Sequence, residues 1–93
     1  MTGPLAVEVS SAARRQLRQL PDKVAVAVVE FITAVLPDNP LCLSKPLTGP
    51  LSGLRSARRG DYRVLIEVDE TDRRVLVVRV AHRAHAYRPP LPD

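Results

Sequence analysis

Aromatic side chains are scarce in this sequence. Tryptophan is absent, and Phe31, Tyr62 and Tyr87 are the only aromatic residues among 93. A core must therefore be built from aliphatic side chains, which the 45% hydrophobic content can supply. A chain of this length suits one compact domain and has no room for a second core. We therefore predict a single domain over residues 1–93 with an aliphatic interior.

Cysteine is nearly absent as well, since Cys42 is the only one. A lone cysteine excludes an internal disulfide and a cysteine-based metal site. Neither a metal nor a cofactor is predicted for this chain. A nucleophilic role would need a nearby base that the sequence does not identify. We expect Cys42 to be a small, buried, apolar residue.

Long apolar runs are missing too. No stretch approaches the roughly 18 apolar residues that cross a bilayer. The N-terminal MTGPLAVEVSS lacks the basic region and the apolar region of a signal peptide. We therefore predict a cytoplasmic protein that has no membrane partner.

Lysine is rare, whereas arginine is abundant. The chain has two lysines and twelve arginines, with a net charge of +4. Nine of the arginines fall between Arg55 and Arg88, against five acidic residues. Guanidinium groups bind phosphate and carboxylate bidentately, so this region favours a polyanionic partner, with nucleic acid first. A solvated arginine-rich surface is the alternative.

The N-terminal half is predicted to hold a short strand and two helices. LAVEV (5–9) alternates like a strand, and SSAARRQLRQL (10–20) has helical apolar spacing behind a capping serine. The fifteen residues between Pro21 and Pro37 are rich in valine, yet their length and the capping Asp22 favour a helix. The main face of this second helix is predicted to comprise Val24, Val28, Phe31 and Val35.

The C-terminal half is predicted to form an antiparallel meander. Residues 37–53 carry four prolines and two glycines, which indicates a loop. LRSARR (54–59) turns at Gly60-Asp61 into YRVLIEVD (62–69), and ETD leads into RRVLVVRVAHR (73–83). We therefore predict an α+β fold of βααβββ order, with two N-terminal helices packed on a small curved antiparallel sheet.

Strict alternation assigns the strand residues to two faces. In the middle strand, Arg63, Leu65 and Glu67 lie opposite a face formed by Tyr62, Val64, Ile66 and Val68. In the last strand the same rule groups Leu76, Val78 and Val80 on one side. It groups Val75, Val77, Arg79 and Ala81 on the other.

Cationic and titratable side chains are concentrated directly after the last strand. The run HRAHAYR (82–88) contains His82, Arg83, His85, Tyr87 and Arg88. Together with Arg63 from the middle strand, they suit a phosphodiester in a groove, with Tyr87 stacked on a base. RNA cleavage then needs a proton acceptor, cations for the phosphorane and a proton donor. The alternatives are solvated histidines, a Tyr87 packed on the helices and an Arg63–Glu67 ion pair.

The runs KPLTGPLSGLRSARRGDYRVLIEVDE and VLVVRVAHRAHAYR resemble the RelE/ParE superfamily of toxin–antitoxin toxins, on its RelE-like branch. The resemblance covers essentially the whole chain and rests on Lys-Pro-Leu, Gly-Asp-Tyr-Arg and His-Arg-x-x-x-Tyr-Arg in this order. It implies a RelE-like fold and a toxin that enters the ribosomal A site and cleaves mRNA there, independently of metal. The 2′-oxygen would attack the adjacent phosphate and leave a 2′,3′-cyclic phosphate.

The same resemblance implies partners and residue roles. A RelB-like antitoxin would inhibit the toxin by wrapping it, and the complex would bind its own operator DNA through the antitoxin. Arg63 would hold the scissile phosphate, Arg83 would stabilise transition-state charge or act as an acid, and Tyr87 would orient the nucleotide. The other predicted RNA- or phosphate-binding residues are Arg55, Arg58, Arg59, His82, His85 and Arg88.

One departure from the family pattern bears on the chemistry. RelE-like ribonucleases often place two basic residues on one face of the strand before Gly-Asp-Tyr-Arg, whereas here only Arg58 keeps that face. The proton acceptor is therefore unassigned, with His82 or His85 as candidates, and Lys45 is interpreted as structural or a remote phosphate contact. Two alternatives stay open: a ParE-like toxin that binds DNA gyrase without nuclease chemistry, and a member that only binds its antitoxin and regulates transcription.

Overall fold

A computed structural model describes residues 4–87 of the chain as a five-stranded sheet with helices packed against it. The helices are α1 (Ser11–Arg18) and α2 (Asp22–Glu30). The strands are β1 (Ala6–Val9), β2 (Ser44–Pro46), β3 (Arg55–Arg59), β4 (Tyr62–Asp69) and β5 (Arg74–His82). They lie side by side in the order β1-β5-β4-β3-β2. The predicted α+β fold, with two N-terminal helices on a sheet, is confirmed.

The sheet is mixed rather than wholly antiparallel. β1 pairs in parallel with β5, whereas the β2–β3, β3–β4 and β4–β5 pairs are antiparallel. Parallel pairing is possible because a long connection, through both helices and then β2 to β4, separates β1 from β5. A short hairpin can join only antiparallel strands. β2 lies within residues 37–53, where proline and glycine predict only a loop. It is a three-residue edge strand that ends at Pro46, a position where a missing N–H is tolerated.

The second helical segment changes its pitch at Phe31. After α2, residues Phe31–Val35 form a π turn and Leu36–Asp38 form a 3₁₀ turn. A π turn holds more residues than an α-helical turn, so it shifts the face that points inward. Ile32 and Leu36 are buried as a result, while Val35 is 44% exposed. The prediction that Val35 belongs to the main apolar face is therefore wrong.

A β-bulge in β5 breaks strict alternation. Leu65 lies opposite Arg79, and Ile66 lies opposite Val77, so Val78 is the extra residue in β5. A bulge reverses the alternation beyond it and re-aims the side chains that follow. The core therefore receives Val80 together with Val77, and Arg79 shares the face of Leu65. The predicted grouping of Val80 with Val78, and of Arg79 with Val77, is wrong.

The core lies between the helices and one face of the sheet. Apart from Phe31, its buried members are aliphatic: Ala13, Val28, Ile32, Leu36, Ala57, Val64, Ile66, Val75, Val77 and Val80. Each fully buried valine, leucine or isoleucine contributes about 1.5–3 kcal/mol relative to an exposed side chain. The predicted aliphatic interior is confirmed. None of the helices in the described part of the chain has both the length and the apolar character that crossing a bilayer requires.

Cys42 is exposed, so its predicted burial is wrong. It lies in the turn that leads into β2, where Leu41 and Leu43 are exposed as well. The prediction failed because a cysteine is usually buried as a small apolar side chain, whereas this turn passes over the surface. Residues 4–87 contain no group of three or more His, Cys, Asp or Glu side chains placed to hold a metal ion.

Candidate nucleic-acid interface

Strand register brings three cationic side chains onto the face of the sheet opposite the core, here called the outer face. Arg58 pairs with Arg63 across β3 and β4, and Lys45 pairs with Ser56 across β2 and β3. The alternate residue Ala57 belongs to the core, so its strand neighbours point the other way. Lys45, Arg58 and Arg63 therefore lie on one surface although they come from three different strands.

A groove of about 480 Å³ follows this outer face. It is lined by residues 42–47 together with Ser56, Arg58, Arg63 and Tyr87. None of these described lining residues is acidic, so the described part of the chain places no carboxylate among the cations of the groove lining. A concave surface lined by charges of one sign concentrates the field and attracts polyanions.

Arg63 is held in place by its own hairpin. Its side chain is buried, and its Nη1 donates to the carbonyl oxygens of Gly60 and Tyr62, each at 3.1 Å. These bonds fix the plane of the guanidinium, which has three further N–H donors on Nε and Nη2. Arg63 and Glu67, which are both described, form no ion pair with each other; the guanidinium instead bonds to the two carbonyl oxygens. The ion-pair alternative for Arg63 is therefore wrong.

Tyr87 stands at the edge of the groove. Its hydroxyl shares a hydrogen bond of 2.9 Å with the hydroxyl of Ser56, and its side chain is 42% exposed. Ser56 pairs with Leu65 on the outer face, so the ring lies away from the helices. The alternative in which Tyr87 packs on the helices is wrong. A half-exposed ring beside cationic side chains is suited to stack on a nucleobase.

Arg79 bonds to the segment that carries Tyr87, a contact that the sequence does not reveal. It is buried on the outer face, and its Nη1 donates to the carbonyl oxygen of Ala86 at 2.8 Å. Burial lowers the pKa of the Arg79 guanidinium from its usual value because desolvation disfavours the charged form. The only signal in the sequence is an arginine within a run of valines, and strict alternation assigns it to the wrong face.

Lys45 lines the groove, although the sequence favours a structural or remote role for it. The reason is β2, which adds to the edge of β3 and sets Lys45 directly beside Ser56. The prolines on both sides of this strand conceal it from sequence patterns.

Arg59 and His82 lie on the helix side of the sheet. Both pair with Tyr62, Arg59 from β3 and His82 from β5, and Tyr62 packs against the core. The His82 ring meets the Tyr62 ring edge-on at 5.5 Å between centroids. The structure therefore does not bring these two predicted phosphate-binding residues into the groove.

Arg55 is also on the helix side, where it braces the turn before β2. Its Nε donates to the Ser44 hydroxyl at 2.8 Å, and its Nη2 donates to the carbonyl oxygens of Leu41 and Ser44. Ser44 is buried and donates in turn to the Pro40 carbonyl at 2.6 Å. These bonds give Arg55 a structural role, namely to hold the segment that forms one wall of the groove.

Arg83 and His85 follow β5 in the turn that leads to Tyr87. The Arg83 N–H donates to the Asp61 carbonyl at 2.8 Å, which ties this turn to the β3–β4 hairpin. Both side chains are exposed, and neither belongs to the described lining of the groove. The His85 ring lies 6.5 Å from the His82 ring. Arg88, which was predicted with them, lies outside the described residues.

Known proteins are similar to this chain in sequence. A family model described as the ParE toxin of a type II toxin–antitoxin system, parDE, matches residues 7–87. The chain is 46% identical over 85 residues to toxin RelE of Mycobacterium tuberculosis, covering 91% of this chain and 88% of that protein. It is 45% identical over 85 residues to toxin RelG of the same organism, covering 91% of this chain and 98% of that protein.

A solved structure matches over a similar span. The crystal structure of the toxin–antitoxin complex RelBE2 from Mycobacterium tuberculosis contains a chain that superposes with a TM-score of 0.85. The two chains are 43% identical, and the match covers 90% of this chain and 97% of that chain.

Proposed function

Because this chain belongs to the RelE/ParE family of type II toxin–antitoxin toxins, we propose that it is a ribosome-dependent mRNA endoribonuclease that inhibits translation. The groove on the outer face carries the proposal. Lys45, Arg58 and Arg63 line it together with Tyr87, and no acidic residue is among its described lining. Cations without local counter-charges, beside an exposed aromatic ring, suit a single-stranded RNA segment.

The proposed reaction uses the 2′-hydroxyl of the RNA as the nucleophile. The 2′-hydroxyl gives its proton to a base, for which His82 and His85 stay predictions, and its oxygen attacks the adjacent phosphorus. The bond to the 5′-oxygen breaks, that oxygen takes up a proton, and a 2′,3′-cyclic phosphate remains. Negative charge builds up on the non-bridging oxygens during this step, so fixed donors aimed at them lower the barrier. Arg63 suits this task because two backbone carbonyls hold its guanidinium in place before RNA arrives. Arg58, its partner across the strands, adds a second cation.

Other residues serve substrate placement and proton transfer in the proposed reaction. Tyr87 stacks on or orients the nucleotide next to the scissile phosphate. Arg83 stays a prediction for charge stabilisation or proton donation, and its side chain is exposed in the turn between β5 and Tyr87. A site built mainly of arginines needs the mRNA to be held in near-attack geometry, which the ribosomal A site would supply.

The proposed inhibitor is a RelB-type antitoxin. This is supported by the matched solved structure, which is the toxin–antitoxin complex RelBE2. Such an antitoxin would wrap the toxin, and the complex would bind its operator DNA through the antitoxin. The proposed place of action is the cytoplasm, where ribosomes and mRNA meet.

Primer extension on mRNA bound to programmed ribosomes tests the proposal. The purified protein should make discrete cuts within translated codons and should cut naked RNA poorly. Arg83→Ala should reduce cutting, while Arg14→Ala on the exposed surface of α1 should leave it unchanged. A supercoiling assay with DNA gyrase examines the alternative, which the ParE name of the family model supports. Inhibited supercoiling with intact mRNA would overturn the nuclease proposal.

A further inference from the structure

Arg79 is a buried cation beneath the candidate site. It is 5% exposed and lies in β5, among valines that form the core on the other face. It does not belong to the described lining of the groove. A buried guanidinium is costly unless its N–H groups find acceptors, so its position needs a structural reason.

The bulge at Val78 decides where Arg79 points, and α1 holds that bulge. The Ser10 hydroxyl donates to the Val78 carbonyl at 3.3 Å, and the Gln16 Oε1 accepts from the Val80 N–H at 2.7 Å. These bonds satisfy the carbonyl of the extra residue itself and an N–H two positions after it, next to the point at which the bulge disrupts the β4–β5 ladder. The orientation of Arg79 toward the outer face is therefore fixed from the helix side of the sheet.

From this position Arg79 reaches the peptide bond that carries Tyr87. Its Nη1 donates to the carbonyl oxygen of Ala86, which belongs to the same peptide plane as the Tyr87 nitrogen. Ala86 is fully buried, so this bond is shielded from water. At the far end of the tyrosine, the hydroxyl is bonded to Ser56. The backbone of Tyr87 and the tip of its ring are thus held at two separate points.

We propose that Arg79 is a positioning residue, which holds Tyr87 at the groove by anchoring the Ala86–Tyr87 peptide and does not itself contact RNA. The anchoring rests on the geometry alone, and only its effect on cleavage rests on the proposed function. A ring held in advance loses less conformational freedom when a nucleotide stacks on it.

The scarcity of tyrosine makes the anchoring measurable. Incorporation of 3-fluorotyrosine places one ¹⁹F label at Tyr87 and one at Tyr62, which packs against the core and reports on folding. In Arg79→Met the Tyr87 signal should move toward the position of free fluorotyrosine, while the Tyr62 signal stays. Arg79→Lys keeps one donor and should give an intermediate Tyr87 signal. Arg74→Met, an exposed position of the same strand, is the control and should leave both signals in place.

Two results would overturn the anchoring. One is an unchanged Tyr87 signal in Arg79→Met. The other is a shifted Tyr62 signal in both Arg79→Met and Arg79→Lys. Arg79 would then be needed for the folding of the sheet and not only for the position of the segment after β5.

The effect on cleavage is measured on programmed ribosomes. Arg79→Met should lower the rate on the order of 10²-fold, the loss expected when a substrate-positioning group is displaced by about 1 Å. The loss of activity should be divided between a lower kcat and a higher KM in the same proportion as in Tyr87→Ala. The double variant should be no slower than Tyr87→Ala alone, whereas multiplied losses would contradict an action through Tyr87. A parental protein that cuts nothing would refute the proposed nuclease and leave the ¹⁹F result valid.

Discussion

Arg58 and Arg59 are neighbours in β3 with exposed side chains of the same chemistry, yet the pleat sends them to opposite faces. Arg58 lines the groove, whereas Arg59 lies beside Tyr62 on the helix side. They therefore form a matched pair that separates local phosphate contact from general positive charge.

Arg58→Ala is expected to slow cleavage on programmed ribosomes by roughly 10- to 100-fold, because it removes a charge-assisted contact to the phosphate. Arg59→Ala changes the net charge equally and should leave the rate within about twofold. Single-turnover primer extension measures both. Equal losses would mean that the two arginines act only through long-range attraction.

Two substitutions of Arg63 separate the effect of its charge on cleavage from the effect of its planar guanidinium. Arg63→Ala should lower the single-turnover rate by roughly 10²-fold or more, and Arg63→Lys should recover only part of it. Lysine keeps the charge but lacks the planar fork that the Gly60 and Tyr62 carbonyls hold in place. Because Arg63 is buried, thermal unfolding of each variant must be measured beside the rate. Full activity in Arg63→Ala would exclude it as the phosphate clamp.

At the scale of elements, the contact between α1 and β5 affects both the stability of the fold and the geometry of the site. Gln16 in α1 accepts the Val80 N–H two residues after the bulge, where the pairing of β1 with β5 has already ended at Val77. Packing of α1 therefore does more than cover the core, since it also sets the register that turns Arg79 outward.

Gln16→Met is expected to lower the free energy of unfolding by about 1–3 kcal/mol, because the Val80 N–H loses its acceptor inside the fold. Gln16→Glu keeps an oxygen at the same place and should retain most of the stability. Gln19→Met, at an exposed position just after α1, is the control. Urea denaturation compares the four proteins, and equal stability of Gln16→Met and the parent would show that the bulge does not depend on this bond.

At the scale of the whole molecule, a net charge of +4 is combined with a groove that has no acidic residue in its described lining. Under the proposed function, long-range attraction would bring the protein to the ribosome, and the groove would place the phosphate. An acidic antitoxin that folds on binding would neutralise the positive charge of the toxin and cover the groove.

Affinity for programmed ribosomes is expected to fall steeply as salt rises, because contacts to phosphates release counterions. Arg58→Ala should make the slope of log affinity against log salt shallower by about one. Binding measured between about 50 and 200 mM salt tests this. A slope near zero in the parental protein would argue against a polyanionic target.

Much of the fold could be predicted because its signals are local. The helical spacing in residues 10–20, the Gly60-Asp61 turn and the alternation in β4 each depend on residues close in sequence. The π turn at Phe31–Val35 could not be predicted, since it is a change of pitch within an otherwise continuous apolar run.

The sequence by itself determined which residues are available to the site, because the charge of arginine and the aromatic ring of tyrosine are properties of the residue type and do not depend on the fold. Gly-Asp-Tyr-Arg and the run after β5 thus identified Arg63 and Tyr87. Only the tertiary structure decided which side chains meet in one groove. Side-chain direction in a sheet reverses with every residue of register, so one bulge at Val78 redirects Arg79, and one added edge strand brings in Lys45. The bonds that hold the bulge come from Ser10 and Gln16, more than sixty positions away, where no local pattern can reveal them.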